Sequence, residues 1–536
     1  MRRFYASLTL LAALLAPATA GAQEMSSNVK QIASIPEMRT AIAINFIEDT
    51  MFVSTTTGLF AYSVADPAKP SLLSSIAMYI WENEDMAVDV KRKRVFISRD
   101  PRGFTTPATP GATFPYGAVH VIDVANPRAM VQVGFFTLPA GHTSTCINDC
   151  DFLWTAGPYA NAQTQPDYVG RPVYATDVTD PAAPKPCPDP IDLNRNDGVT
   201  DYTHDVQVDS RGIAWISGAG GIRGYWTKGS HRNPVSGSVE EATACKPVPY
   251  AGSGTPEEAT PSRFMHNSYR EPDAGVVARR LSGVSGSPVA AYSAAAKRRA
   301  PKCSTKKGSK SARKKCALAK KCFKAKSKKQ KVRYCKKPKK AAPLNPRPQF
   351  PGTTKPPGSP ASAGGLTPER VLYGTEEALE SSCESSGRFV TYDLEGTFGG
   401  EGFEDIDKTK HRMTALDTWT PENAEGADGC ESAHYFASRG DGVFANAFYG
   451  QGVRFLDVSD PKDIRQIGFW RPSGANTWAP YWHKGKVYVA DNALGVAILE
   501  FSGSAKSKTV SAPAKRMAVK QHFERRYLGG LCPLPS

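Results

Sequence analysis

The chain has 536 residues, of which 40% are hydrophobic, and a nominal net charge of +16. The segment from Lys297 to Lys340 contains 22 Lys and Arg but no Asp or Glu, and removing it leaves the other residues with a charge of −6. A fold that binds nucleic acid carries its positive charge on the folded surface. Because the positive charge lies in one low-complexity run, the folded part of the chain need not bind nucleic acid, and we expect no specific nucleic-acid partner for it.

The N-terminus has the pattern of a secretory signal. Arg2 and Arg3 precede an apolar run from Leu8 to Ala16, and small residues follow as far as Ala22. Such a run is too short to span a bilayer. We expect a signal peptide over residues 1–22 and an exported protein, secreted, extracellular or in the cell envelope, where disulfides are stable.

Four segments repeat one pattern, in which an apolar strand leads into Asp or Asn, then Pro, then a second strand. Proline cannot donate a hydrogen bond to a sheet, and Asp and Asn close turns with their own side chains. The four turns are Asp66-Pro67, Asn126-Pro127, Asp180-Pro181 and Asp460-Pro461. The strand before the pattern recurs in seven copies, at residues 50–54, 94–98, 151–155, 212–217, 370–374, 442–446 and 486–490.

Seven copies with almost no helical periodicity between them predict an all-β, seven-bladed β-propeller. The fourth and fifth copies are degenerate, so six or eight blades stay open. Residues 30–33 match residues 465–468 and 131–134, which both follow a Pro turn as outer strands. The N-terminal segment is therefore expected to supply the outer strand of blade seven and close the ring.

These segments resemble the LVIVD-repeat family of secreted bacterial propellers, most closely at residues 487–491 and 495–499. The resemblance covers most of residues 29–501 outside the basic segment. It implies a propeller fold and no particular reaction. In outline the chain is also similar to selenium-binding proteins, propellers that carry histidine-lined metal sites.

The basic segment lies within residues 271–365, which are rich in Ala, Pro, Ser, Gly and Lys. This composition predicts a disordered insertion in blade five. The propeller then spans residues 29–270 and 366–501, and residues 502–536 form a tail. The insertion is either a tether to an anionic cell-wall or lipid surface or a solubilising loop. Its four cysteines are spaced for a small two-disulfide hairpin: Cys303, Cys316, Cys322 and Cys335.

Four histidines stand at matching positions before the second strand of their blades. His142, His204 and His434 lie nine or ten residues ahead of that strand, and His266 has the same local setting. Each is expected to begin the innermost strand of its blade, beside the central channel. Blades seven, one and two have other residues at this position: Trp478, Thr40 and Asn83-Glu84-Asp85.

The second strands return to the same face, where they bring carboxylates such as Glu376 and Glu377. Neutral imidazoles with a carboxylate nearby suit zinc, copper or iron. We therefore predict one transition-metal ion held by the four histidines with Glu376 or Glu377. The alternative is a structural histidine in each blade, which would be expected in all seven blades rather than four.

Two functions remain open from the sequence, and no catalytic residue is assigned. The first is a monomeric binding protein that presents its channel face to a protein or small-molecule ligand. The second is a metal-dependent oxidoreductase or hydrolase. Cys146 and Cys150 are predicted to form a disulfide, with a metal corner as the alternative, and Cys383 could pair with Cys430. Residues 192–198 look like part of a calcium loop, for which a polar turn is the simpler interpretation.

Overall fold

The computed structural model describes residues 24–100, 117–157, 173–191, 202–209, 211–219, 221–233, 236–250, 265–270, 370–377, 387–394, 414–421, 425–426, 429–430, 432–505 and 507–509. Several predictions concern residues outside these ranges: the signal peptide, the insertion with its four cysteines, the turn at 192–198, and Cys383. The structure does not test these predictions.

Within the described residues the chain forms seven antiparallel sheets of four strands, one per blade, and blade six gains a fifth short strand. From the inner to the outer strand, blade one contains Ala41–Ile47, Thr50–Thr55, Gly58–Ser63 and Ser71–Ala77. Blade two contains Ala87–Asp89, Arg94–Arg99, Gly117–Asp123 and Val131–Leu138. Blade three contains Thr143–Ile147, Phe152–Ala156, Tyr174–Asp177 and Lys185–Pro186. Blade four contains Tyr202–Val208, Ile213–Ala219, Gly221–Trp226 and Val248–Pro249.

The remaining blades follow the same plan. Blade five contains Met265–Arg270, Val371–Glu376, Phe389–Asp393 and Thr414–Trp419. Blade six contains Phe436–Ser438, Val443–Ala447, Val453–Asp457, Arg465–Arg471 and the added strand Glu24–Met25. Blade seven contains Thr477–His483, Lys486–Asp491, Gly495–Phe501 and Val29–Ile35. Two small hairpins, Gly229–Arg232 with Val239–Ala242 and Glu425–Gly426 with Gly429–Cys430, stand apart from the blades.

The repeated Asp/Asn-Pro pattern forms the turn that was predicted from it. In each copy the side-chain oxygen of the Asp or Asn accepts a hydrogen bond from the backbone N–H two residues later, at 3.0–3.1 Å. In every copy the backbone carbonyl of the same Asp or Asn also accepts a hydrogen bond from the N–H three residues later, so side chain and backbone together close the turn after the third strand of the blade. The donors are Ala68, Arg128, Ala182 and Lys462.

The ring closes as predicted. Val29–Ile35 pairs antiparallel with Gly495–Phe501 as the outer strand of blade seven. The preceding pair, in which Glu24–Met25 adds to the edge of blade six, was not predicted from the sequence. There the Arg471 guanidinium donates to the Glu24 carboxylate, so an ion pair fastens the first described residue to the ring.

Seven apolar clusters fill the seams between consecutive blades, including the seam between blade seven and blade one. Tyr481 and Tyr488 of blade seven, for example, pack with Ile44 and Met51 of blade one. An unbroken series of seams shows that the fold is a closed, seven-bladed, all-β propeller. Truncating a large aromatic side chain in such a seam to Ala costs about 3–5 kcal/mol of stability.

Two disulfides join described cysteines. Cys146 and Cys150 form the predicted bond at the end of the inner strand of blade three. The sequence did not reveal the second bond, in which Cys187 of blade three pairs with Cys245 of blade four. The one helical element among the described residues is the short 3-10 turn Pro36–Met38. None of the described residues belongs to a helix long and apolar enough to cross a membrane.

Candidate metal centre

The four predicted histidines meet in the channel. His142 comes just before the inner strand of blade three, His204 and His266 lie within the inner strands of blades four and five, and His434 precedes that of blade six. All four are fully buried. Successive rings are in contact, with centroid distances of 4.5, 4.3 and 3.8 Å around the ring.

β-Bulges aim two of these side chains toward the channel. The pairing of the inner strand with its neighbour shifts at His204 in blade four and at His266 in blade five. A bulge bends the strand and re-aims its extra residue. The same shift falls at Trp478 in blade seven and at Ile42 in blade one. Blade one therefore contributes Ile42 at this position and not Thr40, which lies two residues earlier.

His142 reaches the channel because glycine occupies the neighbouring position. The backbone of Gly157 has a φ of +126°, and a Cβ atom there would lie 2.0 Å from the Cβ atom of His142. A larger residue at 157 would therefore displace the imidazole.

Glu84 of blade two lies at the centre of the four imidazoles. Its Oε2 atom is 3.2 Å from Nε2 of His142, 3.3 Å from Nε2 of His204 and 3.2 Å from Nε2 of His266. Its Oε1 atom is 3.3 Å from Nε2 of His434. Among the described residues, no hydrogen bond of good geometry reaches either Glu84 oxygen or Nε2 of His266 or His434. In the sequence, Glu84 stands at the position of blade two that is equivalent to the histidines, and no role was predicted for it there.

Hydrogen bonds on the outer side of the rings determine which nitrogen faces inward. Nδ1 of His204 donates to the carbonyl oxygen of His266 at 3.0 Å, and Nδ1 of His434 donates to the carbonyl oxygen of Trp478 at 2.8 Å. A carbonyl only accepts, so Nδ1 carries the proton and Nε2 keeps a lone pair directed at the centre. Both acceptors belong to the next blade, so these Nδ1 hydrogen bonds do not lie within the histidine's own blade.

For His142, carboxylates rather than backbone carbonyls lie behind the ring and direct Nε2 inward. Its Nδ1 atom is 2.9 Å from Oδ2 of Asp100 and 3.5 Å from Oε2 of Glu82. A carboxylate behind an imidazole fixes the ring and makes its inner nitrogen a stronger donor to a metal. Asp100 and Glu82 therefore hold His142 from behind.

The buried charges influence one another strongly. Burial raises the pKa of Glu84, but His142, His434 and His266 outweigh burial and hold it well below its usual value. Burial and the neighbouring imidazoles lower the pKa of His204 well below its usual value, and burial with His434 lowers that of His266 to about 3. Burial lowers the pKa of His434 as well, but Glu84 raises it by more. At neutral pH the carboxylate is ionised, and His204 and His266 are in the neutral form that binds metal.

The two predicted glutamates separate. Glu377 stays at the cluster, where its Oε2 atom lies 4.0 Å from Nε2 of His266 and its Oε1 atom accepts a hydrogen bond from Tyr449. Glu376 turns away to an ion pair with Arg388 at 2.7 Å. Consecutive residues of a strand point to opposite faces, so only one of the two can face the channel.

A second pair of acids lies along the channel beside the cluster. The Gln207 amide donates to Asp85 at 3.4 Å and to Asp205 at 3.0 Å, and Asp205 also accepts from the hydroxyl of Tyr435. Burial raises the pKa of Asp205 to about 7, and burial together with Asp205 raises that of Asp85 well above its usual value. The pair therefore retains a proton near neutral pH.

An aromatic cluster adjoins His434. The ring centroids of Trp478 and Tyr449 lie 5.1 and 5.0 Å from that of His434. Ile42 and Trp81 complete the cluster. Trp81 is partly exposed whereas the others are buried, so the cluster extends from the imidazoles to the surface. Asp491, at the end of the second strand of blade seven, accepts a hydrogen bond from the hydroxyl of Thr477 at 2.7 Å and holds its own turn.

Three groups of donor atoms lie close enough to hold an ion, each within 4.8 Å: Glu84 with His204 and His266, His266 with Glu377 and His434, and Glu82 with Asp100 and His142. The first two groups share His266 and surround the same point. His483, by contrast, lies away from the site, where it stacks on Phe46 with ring centroids 4.0 Å apart.

No family model matches this chain, and none of the curated proteins matches it. Among solved structures, it is similar to a periplasmic gluconolactonase of Pseudomonas aeruginosa, at 11% identity and a TM-score of 0.41, over 88% of this chain and 97% of that one. It is similar to the β-propeller domain of Cps50 (Swd1) from Myceliophteria thermophila, at 8% identity and a TM-score of 0.42, over 89% of this chain and 100% of that one. It is also similar to the WD40 repeats of RRP9, at 8% identity and a TM-score of 0.44, over 90% of this chain and 98% of that one. Likenesses this distant carry no argument about the reaction.

Proposed function

We propose that the chain is a metal-dependent enzyme, an oxidoreductase, whose transition-metal ion is held by His142, His204, His266 and His434 with Glu84 beside them. One observation carries the proposal. Four Nε2 atoms and a carboxylate converge in a fully buried site, and among the described residues Nε2 of His266, Nε2 of His434 and both Glu84 oxygens have no hydrogen bond of good geometry. Nε2 of His142 and Nε2 of His204 lie at hydrogen-bond distance from each other, 2.9 Å. Buried polar atoms without a hydrogen-bond partner cost free energy, and a cation among them removes that cost.

The donor set favours a redox metal. Imidazole suits zinc, copper and iron. A catalytic zinc site takes three protein ligands and leaves its fourth position to water, so four imidazoles would close it. Iron and copper accept more ligands, and four imidazoles leave them an open position. Iron or copper is therefore favoured over zinc, and oxidation over hydrolysis.

Each residue around the site has a role in this proposal. The imidazoles bind the ion through Nε2, while Asp100 and the carbonyls of His266 and Trp478 fix their orientation. Glu84 supplies negative charge at the centre. The metal itself would supply the change of oxidation state. Complete burial excludes bulk water, which strengthens every electrostatic interaction in the site.

Three predictions from the sequence accompany this proposal and remain predictions: export, membership of the LVIVD-repeat family, and a binding role at the cell surface. The two disulfides are consistent with export into an oxidising compartment. The tether that would serve a binding role lies in residues 271–365, outside the described ranges. The proposed enzyme does not depend on it.

The test is the metal content of the mature protein and of a double variant, His204→Ala with His434→Ala. We expect one equivalent of iron or copper in the wild type and its loss from the variant, because two of four imidazoles are gone. His231→Ala is the matched control, since His231 is a surface residue that stacks on Trp226 and lies outside the channel.

Metal-free wild type that also fails to take up iron, copper or zinc added after purification would overturn the proposal. So would a double variant that keeps its metal. A stoichiometric zinc ion in place of iron or copper would retain the site but remove the argument for oxidation.

A further inference from the structure

Trp478 occupies the place of a fifth imidazole. It is the bulged residue of the inner strand of blade seven, as His204 and His266 are in blades four and five. Its backbone carbonyl accepts the Nδ1 hydrogen bond of His434, and its ring packs 5.1 Å from the His434 ring. A β-bulge therefore places the indole beside the proposed metal centre, as β-bulges do for His204 and His266.

The indole N–H of Trp478 is a buried donor without an acceptor. The residue is 2% exposed, and no described residue accepts a hydrogen bond from Nε1. Burying a donor without its hydrogen bond is costly, and most buried polar groups in proteins are paired. An unused donor next to a catalytic site is accounted for if a ligand provides the acceptor.

The neighbouring groups limit what that ligand can be. Trp478 packs with Ile42, Tyr449 and Trp81, so the region outside the imidazoles is apolar. The Tyr449 hydroxyl is already committed to Glu377. A small molecule beside Trp478 would meet one free hydrogen-bond donor and apolar walls, next to the imidazoles that would hold the cation.

We propose that Trp478 is a specificity-determining residue, whose indole N–H donates a hydrogen bond to a small anionic ligand that occupies the open position of the metal. This inference rests on the proposed metal centre and adds to it the class of ligand. A cation attracts the negative charge of such a ligand, and the indole satisfies one of its lone pairs. The ligand class is thus a small anion with an oxygen or nitrogen donor atom.

The experiment measures azide binding to the full chain loaded with cobalt(II), whose visible absorption reports on its ligands. Trp478→Phe keeps an aromatic ring and removes the donor. We expect azide to bind about ten- to a hundredfold more weakly to this variant, the range given by a hydrogen bond to a charged acceptor. Cobalt affinity should be unchanged, because no metal ligand is altered.

Trp482→Phe is the matched control. Trp482 lies on the same inner strand and is equally buried, but its indole N–H already donates to the carbonyl oxygen of Ala437 at 3.2 Å. Its loss should leave azide affinity unchanged. The wild type provides an independent measurement: with ¹⁵N-labelled tryptophan, one indole signal of the eight residues should shift downfield when azide is added.

The outcomes separate the two proposals. If the wild type binds no cobalt at the cluster, the metal centre itself fails and this inference fails with it. If cobalt binds but Trp478→Phe retains full azide affinity, or azide does not perturb the cobalt spectrum of the wild type, only the inference is overturned. If Trp478→Phe fails to fold, the ¹⁵N-labelled indole signals of the wild type test the inference instead. An indole spectrum that azide leaves unchanged overturns it.

Discussion

The channel has two unlike sides built from one repeated unit. Blades three to six bring His142, His204, His266 and His434 to it, whereas blades seven, one and two bring Trp478, Ile42 and Glu84. The seams between blades are apolar all the way round the ring, so the difference is confined to the channel. A histidine that served only the blade would be expected in every copy. The restriction to four adjacent blades indicates a site.

The channel centre and the rest of the fold also differ in how their buried charges are compensated. Away from the channel, buried charges have protein partners, as Arg270 has Asp209 and Glu376 has Arg388. At the centre, Glu84 faces four imidazoles, of which His204 and His266 have lowered pKa values, whereas Glu84 raises the pKa of His434. The repeat therefore accounts for the stability of the fold, while the departures from it place a buried carboxylate among imidazoles at one point.

The largest expected effect comes from replacing the central carboxylate. Glu84→Gln should weaken metal binding by about a hundredfold or more. Among the described residues Glu84 is the one carboxylate in contact with all four imidazoles, and loss of an outer partner alone costs about 10–100-fold. Glu376→Gln should leave the affinity unchanged, because that carboxylate serves Arg388. Competition with a chelating dye measures both. Equal affinities for the two variants would contradict the central role of Glu84.

A smaller effect is expected behind the cluster. Asp100→Asn replaces an acceptor that fixes His142 with an amide that can also donate, so metal affinity should fall by about 10–100-fold. Asp123→Asn, a change in the same blade at a surface turn, is the control and should have no effect. The same dye competition applies. An unaltered affinity in Asp100→Asn would mean that Glu82 alone suffices to hold the ring.

The sequence predicts the propeller, its closure and the four histidines because each depends on a local pattern that recurs. It does not distinguish Glu376 from Glu377, because which of two consecutive side chains faces the channel depends on how the strand pairs with its neighbouring strands. Glu84 was noted as standing where blade two has no histidine, but residues 81–86 precede a strand of only three residues and have no periodicity. The bulges at Ile42 and Trp478 follow from strand register, which a single sequence does not reveal.

The smallest effect concerns a histidine far from the site. Burial, followed by Lys484, lowers the pKa of His483 from 6.5 to about 4. A histidine whose pKa is lower in the folded state stabilises the fold fully above its unfolded pKa of 6.5, and that stability is lost as the pH falls toward 4. Between about pH 7 and about pH 5 the loss should be on the order of 1–2 kcal/mol.

Urea unfolding of the wild type and of His483→Gln measures this contribution. Both proteins contain the channel histidines, so only the difference between their pH profiles counts. The variant should show the shallower decline. Parallel profiles would mean that His483 titrates normally.

The most direct measurement is anomalous diffraction from crystals of the protein loaded with iron or copper. The account predicts one anomalous peak inside the channel, about 2.1 Å from Nε2 of His142, His204, His266 and His434, the distance typical of a metal–imidazole bond. A peak anywhere else, or an empty cluster whose Nε2 atoms hydrogen-bond to protein or water, would contradict it.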